Sequence, residues 1–132
     1  MFLHELSNDA KQSFYKLAYT VMNSDNKATK EELKILKLYE KEMALTIDFD
    51  LDNTIEEELK VINTLESSDK KKIYFELMTL AYSDHDYAKE EKDLLTMIGN
   101  HINVGPGDQE TLRQCAENLT KTYKTLSVTF NK

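Results

Sequence analysis

Apolar residues recur along this chain at helical spacing, in runs separated by short polar turns. Phe14, Leu17, Ala18, Val21 and Met22 fall at i, i+3, i+4, i+7 and i+8 and predict one face of a helix, with Ser7 or Asn8 as its cap. Thr29 and Glu32 form a capping box before a second helix. Leu33, Leu36, Tyr39 and Met43 make one apolar strip on it, and Ile35 with Leu38 makes another, so it is expected to be central. A further capping box, Thr54 with Glu57, opens a third helix carrying Ile55, Leu59, Ile62 and Leu65. Ser67 or Ser68 starts a fourth, with Tyr74, Leu77, Met78, Ala81 and Tyr82 on its apolar face. Leu94, Leu95, Ile98 and Ile102 predict a fifth. The breaker Gly105-Pro106-Gly107 follows. Asp108 then reads as the cap of a last helix over 108–130, striped by Leu112, Cys115, Ala116, Leu119, Tyr123, Leu126 and Phe130. Its end, LSVTF at 126–130, consists mostly of weak helix formers and is expected to fray. The stretch from Ile47 to Asp52 alternates with a strand period, but a lone strand has no partner, so it reads as an extended linker. The expectation is an all-α single domain over 1–132, a bundle of six to seven helices without a sheet.

Two of the polar turns are near copies. SDNKATKEE at 24–32 and SDHDYAKEE at 83–91 agree at five of nine positions. At the same offset of 59, Tyr15 matches Tyr74, Thr20 matches Thr79 and Leu36 matches Leu95, with Phe14/Ile73, Val21/Leu80, Ile35/Leu94 and Leu38/Met97 as conservative pairs. The repeated unit is therefore a helix, an acidic turn and a helix, over about 12–45 and 71–104, with an acidic linker at 46–54 between them. Neither hairpin can bury its apolar face alone, so the two are expected to pack on each other about a pseudo-twofold axis.

Composition agrees with helix. The 132 residues include three Gly and one Pro, and 40% are apolar, enough for a core. The net charge of −7 is concentrated: residues 48–58, DFDLDNTIEEE, hold six acids and no base. An otherwise near-neutral globule with an acidic patch argues against nucleic acid and anionic lipid as partners. No stretch has the roughly 18–20 apolar residues of a membrane span, and MFLHELSNDAKQ lacks the basic start and apolar run of a signal peptide. A single cysteine, Cys115, cannot close an internal disulfide, and a cytoplasmic location is expected.

An apolar helix, a short turn opening with Asp, and a Glu seven residues after the Asp occur twice, as Asp25…Glu32 and Asp84…Glu91. In this, residues 12–104 resemble the tellurite-resistance TerB-like family. The resemblance implies an all-helical cytoplasmic stress-response domain whose acidic residues are proposed to bind metal. The family usually has Gly after the Asp; here Asn26 and His85 stand there. Both types tolerate φ > 0, so a left-handed turn residue is expected at these two places.

The chemistry on offer is modest. Asp84, Asp86 and Glu91 form the stronger cation candidate and Asp25 with Glu32 the weaker, because three carboxylates outnumber two and Glu32 also serves the capping box. Hard oxygen donors favour Ca²⁺ or Mg²⁺ over Zn²⁺ or Mn²⁺. The stretch DFDLDNTIEEEL at 48–59 fails as a calcium loop: its sixth position is Asn53 where Gly is needed, and its twelfth is Leu59 where a bidentate Glu is needed. Glu-x-x-His pairs, HExxH, GxSxG and phosphate-binding glycine loops are all missing, so a non-catalytic protein is expected. Cys115 reads as a core residue and His101 as a surface residue near a helix end. Beside the metal-binding stress module stands a metal-free alternative, an acidic interaction module docking a protein partner through Asp48, Asp50, Asp52, Glu56, Glu57 and Glu58. A homo-oligomer held by the last helix is the third reading.

Overall fold

The computed structural model describes residues 2–22, 30–44, 55–82 and 89–132, with the backbone alone for 22, 30–33 and 89–91. A 3-10 turn over Leu3–Glu5 precedes six α-helices: α1 Asn8–Met22, α2 Lys30–Met43, α3 Ile55–Asn63, α4 Ser67–Tyr82, α5 Lys89–His101 and α6 Pro106–Phe130. No strand occurs among the described residues, and the all-α bundle is as expected.

The helix ends follow from local chemistry. Ser7 caps α1: its Oγ accepts the Ala10 N–H at 3.3 Å and its carbonyl accepts the Lys11 N–H at 2.9 Å. α6 starts two residues before the expected Asp108, because Pro106 both ends the preceding turn and occupies the first helical position after Gly105. α5 closes in a Schellman motif. The Val104 N–H reaches the Gly99 carbonyl at 2.9 Å, the Asn103 N–H reaches Asn100 at 3.2 Å, and Asn103 sits at φ 63°. After α2, Ala44 takes a similar left-handed backbone, with φ 53° and an N–H bond to Lys41 of 3.2 Å. Lys11 adds a side-chain bond to the Met43 carbonyl at 3.2 Å, a cation at a helix C-terminus.

The core is shared by α1, α4 and α5 with parts of the others. Phe14, Leu17, Ala18 and Val21 of α1 are fully buried, as the periodicity predicts. The central helix is α4 rather than α2: it packs against α1, α5 and α6 and buries Ile73, Tyr74, Glu76, Leu77, Met78, Leu80 and Ala81. A helix enclosed on several sides needs apolar residues on more than one face. α2 instead packs on α1 and the first turn, burying Leu36, Tyr39 and Met43, while Leu38 is 60% exposed. Phe14 and Tyr39 meet edge to face at 5.1 Å, which seats α2 on α1. Gly99 lets α5 close on its neighbours: a Cβ there would stand 2.9 Å from the Tyr74 ring and 2.7 Å from the Gln109 side chain.

At the offset of 59 several local features coincide. Lys30 and Lys89 begin α2 and α5, and Ala44 and Asn103 are the positive-φ residues after them. Thr20 bonds the Lys16 carbonyl at 3.0 Å, and Thr79 bonds the Phe75 carbonyl at 2.9 Å. Phe14/Ile73, Val21/Leu80, Leu36/Leu95, Tyr39/Ile98 and Met43/Ile102 are buried pairs. Asn26 and His85, expected at φ > 0, lie outside the described residues; the positive-φ residues among those described, Ala44 and Asn103, follow α2 and α5.

Candidate functional site

The acidic residues singled out by sequence divide into three groups. Asp25, Asp84, Asp86, Asp48, Asp50 and Asp52 lie outside the described residues. Glu32 and Glu91 occupy the third position of α2 and of α5. The described residues contain no group of three or more His, Cys, Asp or Glu that could hold a metal ion.

Glu56, Glu57 and Glu58 fall in the first turn of α3, where their charge favours the helix dipole. Glu56 and Glu57 are exposed. Glu58 departs from the expected docking patch: it is 6% exposed and pairs with Lys16 of α1 at 3.2 Å. The helical turn that leaves its neighbours in solvent points Glu58 at α1, and its charge is acceptable there because Lys16 meets it. The pair holds α3 to α1.

α6 departs further from expectation. Its stripe begins conventionally, with Ala116 fully buried and Leu112 and Leu119 half-buried against the core. Cys115, expected in the core, is exposed at the edge of that stripe. The helix runs unbroken to Phe130, yet from Lys121 onward every residue is exposed. Tyr123 is 53%, Leu126 40% and Phe130 77% exposed, although they continue the stripe of Leu112, Ala116 and Leu119. The body of the protein covers the first half of an amphipathic helix and leaves the second half bare.

Beside that bare half lies an apolar groove of about 710 Å³. Ile35, Tyr39 and Glu42 of α2 form one wall, and Phe75, Glu76 and Thr79 of α4 form the floor. Leu119, Tyr123 and Lys124 of α6 form the other wall. The floor is rigid: Glu76, 3% exposed, accepts the Phe2 N–H at 2.9 Å, and the Tyr39 hydroxyl donates to the Glu76 carbonyl at 3.4 Å. Burial first, and then the nearby Glu76 and Glu42 charges, push the Tyr39 phenol well above its ordinary value, so it stays a neutral donor. A second groove, of about 740 Å³, opens on the other side of Phe75, between Phe2, Lys71, Lys72 and the Leu112–Cys115 edge of α6.

The proximal half of α6 is firmly fixed, which gives the groove a defined wall. Arg113 bonds Glu110, Glu117 at 3.2 Å and the Tyr82 hydroxyl at 3.3 Å, and Lys71 pairs with Asp108 at 3.3 Å. The Arg113 bonds hold the Glu110 carboxyl below its usual range. Gln109 Nε2 donates to the Val104 carbonyl at 2.7 Å and to Asn100 at 3.0 Å, joining the α5 end to α6.

Of the groove residues, the sequence pattern supplied Leu119 and Tyr123 as stripe positions. It supplied no sign that Glu42, Thr79 and Lys124 would line one groove with them, because that depends on how α2, α4 and α6 pack. Among the described residues no helix is long and apolar enough to cross a membrane. Comparison with protein-family models, with curated proteins and with solved structures returned no match.

Proposed function

We propose that this chain is a non-catalytic helical interaction module that docks a protein partner in the groove between α2, α4 and α6. The observation that carries the reading is the bare distal stripe of α6 beside an apolar groove. Contiguous exposed apolar surface on a small acidic protein marks an interaction site, and helix-in-groove recognition uses anchors at i, i+3/i+4 and i+7, the spacing of the exposed Tyr123, Leu126 and Phe130. The docking surface moves from the acidic stretch 48–58 to this face. The exposed charges of Glu56 and Glu57 add to the acidic field that steers a basic partner. The test is a photo-reactive residue placed at Tyr123 in cells, with Gln114, exposed on the opposite side of α6, as control. Protein adducts from position 123 and none from 114 support docking; equal yields, or none from either, sink it.

A second reading keeps the resemblance to the TerB-like family: a cytoplasmic stress-response module that binds Ca²⁺ or Mg²⁺ at its duplicated acidic turns. The support is the shared register of α2 and α5, which start 59 positions apart and are followed by positive-φ residues, Ala44 and Asn103, also 59 apart. Carboxylates that repel one another when empty would make a bound cation raise the melting temperature by mass action. Melts of wild type and Asp84→Asn with millimolar Ca²⁺, Mg²⁺, Mn²⁺ and Zn²⁺ test it. A Ca²⁺ or Mg²⁺ shift lost in the variant supports the reading, and no shift with any ion refutes it.

A further inference from the structure

We infer that the occupant of the α2/α4/α6 groove is a second copy of this chain, the two copies exchanging the distal ends of α6 across a twofold axis. The inference rests on the docking reading and names its partner.

Three observations lead there. The first is local. Residues 120–130 read TKTYKTLSVTF, with four Thr, a Ser and a Val. Each is a weak helix former, and an exposed segment of this composition does not hold a helix by itself. Thr122, Thr125 and Thr129 turn their hydroxyls back onto the carbonyls four residues earlier, at 2.8 to 3.1 Å, which satisfies the side chains without strengthening the helix. A continuous helix here is what a segment packed on one side would form.

The second is charge. Residues 118–132 carry Lys121, Lys124 and Lys132 and no acid, so they are +3, while the rest of the chain is −10. The distal end of α6 is a basic, apolar-striped helix attached to an acidic body, and the body of another copy attracts it.

The third is reciprocity. An isologous interface needs both complementary halves on one surface. Here the basic apolar stripe and the apolar groove with acidic Glu42 in its wall are adjacent, and Lys124 stands on the wall opposite Glu42. A twofold axis along the groove sets Lys124 of each copy toward Glu42 of the other, with Tyr123 and Leu126 against Ile35 and the exposed Leu38. Both stripes are covered in one step, and no open, fibre-forming contact remains.

The experiment is sedimentation velocity on the full chain across the micromolar range. Wild type is expected to be a reversible dimer. Leu126→Asp, at an exposed position where the monomer fold does not depend on the side chain, should weaken association at least ~30-fold, the scale of an interface anchor. Lys124→Glu and Glu42→Lys should each weaken it, and the double variant should recover most of the loss. That recovery is a result that misfolding cannot mimic. A wild type that is monomeric throughout, or a dimer indifferent to Leu126→Asp and to both charge reversals, overturns the inference. If the chain is monomeric and crosslinks from position 123 reach another protein, the second copy is wrong and docking stands. A monomer with no such adducts removes both. Flotation of the monomer with phosphatidylserine vesicles would assign the basic stripe to a lipid surface and also overturn the inference.

Discussion

Replacing Ala44 by Gly should stabilise this protein. Ala44 follows the last turn of α2 at φ 53°, where its N–H closes on the Lys41 carbonyl at 3.2 Å. A left-handed conformation costs an L-residue about 1–2 kcal/mol, because Cβ crowds the following carbonyl, and Gly escapes that cost. Glycine also has more freedom to lose on folding, worth about 0.4–1 kcal/mol in the other direction. The net expectation is a gain of about 0.5–1 kcal/mol. For 132 residues an unfolding entropy near 2.1 cal/mol/K per residue converts this to a rise of about 2–4 °C in Tm. Ala44→Val should do the opposite, losing about 1 kcal/mol or more, since a β-branched side chain is still less suited to this backbone. Asn103, at φ 63° after α5, is the internal control. Asn tolerates the conformation, and its Nδ2 donates to Asn63 Oδ1 at 2.9 Å, so Asn103→Gly should gain nothing. Thermal melts and urea unfolding of the three variants measure all of this. Equal melting of Ala44→Gly and Ala44→Val would refute the assignment of backbone strain to this position.

Gly99→Ala should cost about 1–3 kcal/mol in urea unfolding, because its methyl meets the fully buried Tyr74 ring and the Gln109 side chain at under 3 Å; an unchanged midpoint would show that α5 has room to move. Lys16→Met should cost about 2–4 kcal/mol by taking the cation away from the buried Glu58 carboxylate, and Lys16→Met with Glu58→Leu should recover most of it; a double variant as unstable as the single would mean that packing, not charge, is lost. The phenols of Tyr15 and Tyr74 are pushed up to about 12, chiefly by burial and then by Glu40 and Glu110 respectively. Unfolded tyrosines ionise near 10, so stability is intact below that pH and falls as the pH rises from about 10 to 12. Absorbance titration should show buried phenols ionising together with loss of helical circular dichroism; all seven tyrosines titrating near 10 in the folded state would contradict it.

Periodicity made the helices legible because each buries a face whose residues recur every three or four positions, and α1 shows this directly. It misplaced the centre of the bundle. α2 has two apolar strips and α4 has a weaker stripe, yet α4 is the enclosed helix, since enclosure depends on which neighbours arrive from elsewhere in the chain. The same limit explains Glu58 and Cys115. A carboxylate in an acidic run looks solvated until Lys16 of another helix meets it, and a cysteine at the edge of a stripe looks buried until the neighbouring helices cover only the middle of that stripe. The stripe of α6 was readable from Leu112 to Phe130, and the groove beside its end was not, because three helices distant in sequence build it. The expected fraying of 126–130 rested on propensity, which remains weak there; the helical backbone places the explanation on what packs against it.

Hydrogen exchange along α6 tests that explanation most directly. The account predicts that amides of residues 110–118 are protected at every protein concentration, being fixed by the body through Arg113, Gln109 and Ala116. Amides of residues 121–130 should be protected at high concentration and lose that protection on dilution, while those of α1 and α4 stay unchanged. Exchange of 121–130 at the unfolded rate at all concentrations, or protection of both halves independent of concentration, would contradict the claim that a second molecule covers the distal half of α6.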